Sequence, residues 1–173
     1  MKTNFVIREI FAHEFDSFGQ SLAGAYSQLE GFPSREQDPD YYHTLTNISD
    51  FIASRDIQVL VAVSSAKTLL GGVVFIGDLA DYGVNGKTTR VKNATGIRFL
   101  WVSVEARGMG IGKALTNACI QKTRDKGQSQ IVLHTTDAMK AAWKLYTGMG
   151  FKRSQDLDFT HEGLQVFGFR LLI

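Results

Sequence analysis

A continuous apolar run, followed by a glycine-rich turn and an amphipathic stretch, constrains the fold of this chain most. The run covers Gly96–Glu105 (GIRFLWVSVE), and the turn RGMGIG occupies residues 107–112. Ile111, Leu115 and Cys119 then recur at helical spacing, and Gly127 ends the pattern. A buried strand that enters a helix through a tight turn is typical of α/β proteins, in which the helix crosses back over the sheet.

Further segments on both sides of this unit show strand or helix patterns. Before it we predict a strand at residues 5–10, a helix at about 15–29, a second helix at about 39–54 capped by Asp38, and a hairpin of strands at 58–65 and 69–79. After it we predict a strand at 130–136, a helix at 138–149, and strands at 151–159 and 164–173.

The predicted element order is β-α-α-β-β-β-α-β-α-β-β. It contains no repeat and no linker, so residues 1–173 are expected to form a single domain with a mixed sheet and helices on both faces. The loop at about 80–95 is longer than most connections. It is therefore either mobile or part of a binding edge, and the sequence does not distinguish these alternatives.

Composition excludes several classes of function. A net charge of +2 with scattered Lys and Arg argues against nucleic-acid binding. No apolar run approaches the roughly 18–20 residues of a membrane span, and the N-terminus lacks the apolar core of a secretory signal, which favours the cytoplasm. Cys119 is the single cysteine, and no Cys/His cluster has zinc-ligand spacing, so we expect neither a disulfide nor a metal.

The turn RGMGIG does not match two common phosphate-binding patterns. A P-loop would need glycine at Arg107 and a hydroxyl residue at Ala114. A dinucleotide fingerprint that starts at Gly108 would need glycine at Lys113, and one that starts at Gly110 would need glycine at Leu115. The sequence therefore excludes the first and disfavours the second.

Two interpretations of the turn remain. Its glycines can let an anion such as a pyrophosphate reach the unpaired amides of the helix start, where the helix dipole adds positive charge. Arg107 and Lys113 can add charge-assisted contacts. Alternatively, the glycines only allow the helix to pack tightly on the sheet.

Two motifs in order resemble a known family. WVSVEARGMGIGKAL is similar to motif A (Q/R-x-x-G-x-G/A) of the GCN5-related N-acetyltransferase (GNAT) superfamily, and LYTGMGF, residues 145–151, is similar to its second motif. The predicted element order also resembles that of the family. The resemblance implies the GNAT acyl-CoA N-acyltransferase fold and acetyl-CoA-dependent transfer of an acetyl group to a primary amine of a small molecule or peptide, without a metal.

The resemblance also implies the residues of the site. Val102 and Val104 correspond to the place where the fourth strand separates from the fifth. A backbone amide near Val102 would bind the thioester carbonyl. Tyr146 would be the general acid. The residues assigned to acetyl-CoA are Val102, Ser103, Val104, Arg107, Gly108, Met109, Gly110, Ile111, Gly112 and Lys113. Met139 replaces an asparagine that contacts the cofactor in many members. Without the resemblance, Tyr146 would be interpreted as a core aromatic residue.

The base that deprotonates the acceptor amine is not evident from the sequence. The glutamate that the family often carries on the fourth strand is absent, because Phe99, Leu100 and Trp101 occupy its expected positions. The candidates left are Glu30, Asp78, Asp81 and His134, each of which could equally be a surface group or a satisfied strand histidine. This absence leaves a non-catalytic acyl-CoA-binding or sensor module as the alternative function.

Residues 29–45 are expected to cover the acceptor pocket, because the family places its first two helices there. An aromatic wall could be formed by Tyr26, Phe32, Tyr41 and Tyr42. A cationic amine could be attracted by three acidic residues, Glu30, Asp38 and Asp40. A core face with capping acids explains the same pattern equally well. Edge strands near the C-terminus make a homodimer possible.

Overall fold

The computed structural model describes residues 4–53, 56–83 and 86–173. In these ranges the strands are β1 (Phe5–Glu9), β2 (Ile57–Ser64), β3 (Leu69–Ile76), β4 (Ala94–Val102), β5 (Gln130–Thr135), β6 (Lys152–Arg153), β7 (Phe159–His161) and β8 (Leu164–Leu172). The helices are α1 (Phe15–Ser27), α2 (Pro39–Thr46), α3 (Ile48–Ile52), α4 (Ile111–Asp125) and α5 (Lys140–Gly148).

One mixed sheet organises the described chain. Its order is β1-β2-β3-β4-β5-β8-β6, and β7 pairs with β8. The β4–β5 pair is parallel and the other pairs are antiparallel. A parallel pair requires a crossover, which α4 provides. The strand–turn–helix–strand unit and the mixed α/β fold predicted from the sequence are therefore confirmed.

Hydrophobic residues on the two faces of the sheet form two cores. In β2, Val59, Val61 and Val63 pack with α1, α2 and α3 on one face, whereas Leu60 and Ala62 face α4 on the other. This alternation follows from the two-residue period of a strand. Helices cover both faces, as the sequence predicted.

The single helix predicted over residues 39–54 is wrong: the segment forms α2 and α3, separated at Asn47, and Ser54 lies outside the described residues. Asp38 caps α2 as predicted, since its side chain accepts a hydrogen bond from the Tyr41 amide at 3.2 Å. Asn47 has φ −111° and ψ 46°, and its side-chain amide donates to the His43 carbonyl at 2.9 Å. An asparagine side chain that competes for backbone carbonyls favours such a break.

The strand predicted over residues 151–159 is also interrupted. A short 3-10 turn at Gln155–Leu157 separates β6 from β7. The turn buries Leu157 in the core, and Asp158 then accepts hydrogen bonds from Arg153 at 2.9 Å and from the Gly168 amide at 2.7 Å. Burial of one leucine and pairing of one aspartate thus override the strand pattern.

Candidate functional site

The glycine turn leads directly into α4 and leaves the start of that helix open. Gly108 and Gly110 have φ angles of 80° and 81°, a left-handed conformation that favours glycine. No side chain caps the helix, and the first helical hydrogen bond here is from the Ala114 amide to the Gly110 carbonyl at 2.9 Å. The amides of residues 111–113 therefore remain available to an anion, where the helix dipole adds positive charge.

Strands β4 and β5 separate next to this turn. Their pairing ends at Ile97 and Leu133, beyond which β4 continues along β3 to Val102 and β5 continues along β8 to Thr135. The edge of β4 that faced β5 consequently has no strand partner over residues 98–102 in the described chain. The resulting gap lies between the N-terminus of α4 and the N-terminus of α5.

A bulge in β4 lies at the same point. Between the Gly72–Trp101 and Val74–Arg98 pairs, two residues of β4 oppose one residue of β3, and Phe99 has a φ of 55°. Positive φ is unusual for a bulky residue and stores backbone strain. The segment FLW contains no glycine or other local signal for a bulge, so the sequence did not reveal it.

A cleft of 650 Å³ opens over the turn and the gap. Eight of the residues assigned to the site from the sequence line it: Val102, Arg107, Gly108, Gly110, Ile111, Gly112, Lys113 and Tyr146. Ser103, Val104 and Met109 do not line it; Val104 and Met109 are 62% and 42% exposed, and the Ser103 amide donates to the Leu70 carbonyl. The assignment of these residues to a cofactor remains a prediction.

Tyr146 lies on α5 in the wall of this cleft. Its ring is buried and packs edge-on against Phe151 at a centroid distance of 5.5 Å. Its hydroxyl has no hydrogen-bond partner among the described residues. Burial raises the pKa of Tyr146 well above the ordinary value because it disfavours the phenolate. The side chain is therefore a neutral hydrogen-bond donor facing the cleft.

A second cavity of 440 Å³ adjoins the cleft. Residues that line both spaces are Tyr26, Ile97, Arg98, Phe99, His134, Thr135 and Met139, so the two meet at the bulge of β4. Three of the four aromatic residues expected at an acceptor pocket, Tyr26, Phe32 and Tyr41, line this second cavity. Tyr42 does not line it, and its hydroxyl donates to the Pro33 carbonyl at 2.8 Å.

Acidic residues and the long loop also reach the second cavity. Asp38 and Asp40 line it, whereas Glu30 is exposed and lies outside its wall. The loop at 80–95 contributes Tyr82 and Gly83. Val84 and Asn85 of this loop lie outside the described residues, and its role at a binding edge stays a prediction.

His134 lies at the boundary of the two spaces but has no free ring nitrogen. Nε2 donates to the Leu157 carbonyl at 2.9 Å, and Nδ1 accepts from the Tyr82 hydroxyl at 2.9 Å. Burial lowers the pKa of His134 to about 4. These contacts fit a satisfied strand histidine rather than a base. Asp78 and Asp81 line neither space and instead bind backbone amides.

A histidine that the sequence analysis did not single out does line the second cavity, here termed the acceptor-side cavity because aromatic residues expected at an acceptor pocket line it. His161, at the end of β7, contacts Asp38 with Nε2 2.6 Å from Oδ2. Since Nε2 donates to the carboxylate, Nδ1 is the acceptor of the neutral ring, and it has no partner among the described residues. The side chain is 46% exposed, whereas that of Asp38 is 10% exposed. No short-range motif connects two positions so far apart in the chain.

Two further classes of site receive no support from the described residues. They contain no group of three or more His, Cys, Asp or Glu side chains arranged to hold a metal ion. In the same ranges, no helix has the length and apolar character needed to cross a membrane.

Comparisons with known proteins agree with this geometry. A family model described as acetyltransferase (GNAT) family matches residues 20–151. N-acetyltransferase 8B of Mus musculus is 47% identical over 55 residues, which are 32% of this chain and 24% of that protein. N-acetyltransferase 8B of Homo sapiens is 37% identical over 79 residues, 46% of this chain and 34% of that protein. These matches span about a quarter to a third of the relatives' length.

Solved structures share the fold at low sequence identity. A GNAT-family acetyltransferase from Staphylococcus aureus Mu50 superposes with a TM-score of 0.75 at 17% identity, covering 97% of this chain and 98% of the other. PaiA N-acetyltransferase from Thermoplasma acidophilum, solved with coenzyme A, gives 0.68 at 18% identity with 95% and 97% covered. Spermidine N-acetyltransferase from Vibrio cholerae, solved with CoA and spermine, gives 0.64 at 15% with 99% and 96% covered.

Proposed function

This chain belongs to the acetyltransferase (GNAT) family, and from that premise we propose that it transfers the acetyl group of acetyl-CoA to a primary amine by direct attack of the amine. One observation carries the proposal: the cleft over the N-terminus of α4 meets the acceptor-side cavity at the β4 bulge. A cosubstrate and an acceptor can therefore approach the same point from opposite sides.

The cleft fits the phosphate end of acetyl-CoA. The open amides of residues 111–113 suit a pyrophosphate, and Arg107 and Lys113 add positive charge on the same wall. Gly108 and Gly110 have no side chain that would stand between the backbone and the ligand, and their left-handed conformations favour glycine. When bound, acetyl-CoA supplies the acetyl group as a thioester.

The free edge of β4 suits the reactive end. Its backbone groups over residues 98–102 have lost β5 as a partner, so they can hydrogen-bond to the pantetheine arm and to the thioester carbonyl. An amide that points at this carbonyl stabilises the negative charge that develops there during attack. Because backbone groups carry this role, Phe99, Leu100 and Trp101 do not prevent it.

Tyr146 serves the leaving thiolate. Burial raises the pKa of Tyr146, so its phenol stays neutral. It can donate a hydrogen bond to the sulfur and deliver a proton as the carbon–sulfur bond breaks. The unpartnered hydroxyl in the cleft wall supports this role, because a phenol already bound within the core would not be available.

His161 accepts the proton of the acceptor amine, directly or through one water. Asp38 holds Nε2 and leaves Nδ1 as the acceptor, and the 3.2 Å bond from the Tyr41 amide fixes Asp38 in turn. The proton of the alkylammonium passes to Nδ1 before attack, which frees the lone pair that forms the nitrogen–carbon bond. As the carbon–sulfur bond breaks, the thiolate takes a proton from Tyr146, and the nitrogen gives up its second proton to water to yield the neutral amide. Asp38 is a positioning residue here, whereas His161 is the catalytic one.

A thiol-release assay with acetyl-CoA and a panel of primary amines tests the proposal, with the acetylated product identified by mass spectrometry. We expect release that depends on the amine. We also expect Arg107→Met to weaken acetyl-CoA binding, and Arg124→Met, at an exposed position near the C-terminus of α4, to leave it unchanged. Saturable acetyl-CoA binding without any thiol release would instead indicate the non-catalytic acyl-CoA-binding module.

A further inference from the structure

Arg98 lies where the two spaces meet and points its charge into an aromatic environment. It is half-buried in β4 and lines both the cleft and the acceptor-side cavity. Its guanidinium carbon is 4.3 Å from the ring centroid of Phe99 and 5.3 Å from that of Phe51. Nη1 donates to the Tyr82 carbonyl at 2.9 Å. The side chain is thus held in place at the site.

Arg98 has no acidic partner among the described residues. The ion pairs there are Arg8–Glu14, Lys126–Asp56, Arg153–Asp158 and Arg170–Asp156, and Asp38 accepts a hydrogen bond from His161. A guanidinium has five donors, and the Tyr82 carbonyl uses one. Withdrawing a charge from water is unfavourable unless it is paired, so this position offers unused donors to an anion.

Two neighbouring hydroxyls are also unsatisfied. Thr135 and Thr136, at the end of β5, line the acceptor-side cavity and are 1% and 3% exposed. Neither hydroxyl has a hydrogen-bond partner among the described residues. Buried hydroxyls are normally paired, and rotation about χ1 can turn a threonine hydroxyl towards a ligand. Among the described residues, a cation without an acidic partner and two hydroxyls without a hydrogen-bond partner therefore line one cavity.

We propose that the acceptor amine carries a carboxylate, which Arg98 binds with the help of Thr135, and this inference rests on the proposed acetyl transfer. Because Arg98 lies at the meeting point of the two spaces, a bound carboxylate would be close to an attacking amine. An α-amino acid places these two groups on one carbon. A polyamine would instead bring a second positive charge towards Arg98.

The remaining cavity wall indicates the third substituent of that carbon. Rings of Tyr41, Phe51 and Phe159 line it, which suits an apolar or aromatic side chain. Asp38 contacts His161, and Asp40 is exposed; among the described residues neither forms a salt bridge with Arg98. The acceptor class is therefore an amino acid with an apolar or aromatic side chain.

Three probes with the same phenyl group test this substrate class: phenylalanine, phenylalaninamide and phenylethylamine. The amide represents a peptide N-terminus, and phenylethylamine lacks the carboxyl carbon. We expect kcat/KM to be highest for phenylalanine. Arg98→Met should lower it for phenylalanine by roughly tenfold to a hundredfold, the range for a hydrogen-bonded charge, and change it little for phenylethylamine. For each amine, the ratio of kcat/KM in the wild type to kcat/KM in Arg98→Met is independent of the intrinsic reactivity of that amine. Comparing this ratio for phenylalanine with that for phenylethylamine therefore isolates the effect of the carboxylate.

Two controls separate ligand binding from folding. Arg124→Met removes an exposed arginine from α4 and should leave all three rates unchanged. Thr135→Val keeps the shape and removes the unpartnered hydroxyl, so the melting temperature should not fall while KM for phenylalanine rises. A loss of activity on all three probes with a lowered melting temperature would assign Arg98 to folding and overturn the proposal.

The remaining outcomes distinguish the two proposals. If thiol is released equally well with phenylalanine and phenylethylamine, the carboxylate site is overturned and acetyl transfer stands. If no probe releases thiol, acetyl transfer fails for this acceptor class. Calorimetry with the acetyl-CoA-saturated protein then measures the affinity for each probe and tests whether Arg98 binds a carboxylate. Phenylalanine binding that Arg98→Met weakens would support the carboxylate site, and equal affinity for both probes would overturn it.

Discussion

His161 Nε2 lies 2.6 Å from Asp38 Oδ2, although the two residues are 123 positions apart in the chain. The contact connects the end of β7 to the residue that caps α2. It therefore fixes a histidine with a free Nδ1 in the wall of the acceptor-side cavity. The same contact could serve only to close that cavity, so a test must separate catalysis from structure.

Replacing His161 by glutamine should lower kcat for an alkylamine acceptor by roughly a hundredfold, which is within the usual contribution of a general base. An aryl amine is already uncharged at neutral pH and needs no base to free its lone pair before attack, so its rate should fall far less. Steady-state kinetics with both acceptors measure this difference. The exposed His13 provides the matched control, His13→Gln, which should change neither rate. Equal losses with both acceptors would assign His161 to structure.

Tyr146→Phe should lower kcat by roughly tenfold to a thousandfold while acetyl-CoA affinity stays the same, because the phenol acts on the leaving sulfur and not on the phosphates. Single-turnover kinetics and calorimetry separate the two quantities. The pKa of the phenol is raised by burial, so the wild-type rate should not fall between pH 7 and 9 through loss of this proton. A variant with full activity would remove Tyr146 from the mechanism.

Gly110→Ala should weaken acetyl-CoA binding by about tenfold. The residue has a φ of 81°, and no atom lies within 4 Å of an added methyl group, so the effect would come from backbone strain rather than a clash. That strain costs about 1–2 kcal/mol for alanine. Gly24→Ala in α1 is the matched control, since its added methyl group also meets open space but the helix favours alanine. Similar affinities in both variants would contradict the assignment of the turn.

His134 should make the folded state sensitive to mild acid. Burial lowers its folded pKa from 6.5 to about 4, so the unfolded chain takes up a proton first as the pH falls. Stability is fully present above pH 6.5 and decreases towards pH 4, by on the order of 3 kcal/mol. Thermal unfolding should show a larger fall between pH 7 and 5 in the wild type than in His134→Gln. Parallel curves for the two proteins would contradict the lowered pKa.

Much of the fold could be predicted because its signals are local. A run of β-branched and other apolar residues defined β2, helical spacing defined α1 and α4, and Asp38 with Pro39 marked the start of α2. The errors arose where a side chain contact overrides a local pattern. Asn47 divided the second helix by binding the His43 carbonyl, and Leu157 interrupted a strand by turning into the core.

The cofactor side of the site was equally accessible from the sequence. Open amides at a helix start depend on residues only a few positions apart, and the glycines at 108 and 110 have the φ angles that such a turn requires. For this reason WVSVEARGMGIGKAL and LYTGMGF located eight lining residues of the cleft before any contact was known. The homodimer expected from edge strands stays a prediction.

Only the tertiary structure decided the acceptor side. The bulge at Phe99, the His161–Asp38 pair and the unpaired charge of Arg98 all depend on which strands and helices pack together. Such contacts join residues distant in the chain, and their geometry follows from the packing of the whole sheet rather than from any local preference. The sequence alone therefore predicted the turn and helix start that line the cleft, whereas packing determined which groups line the second cavity.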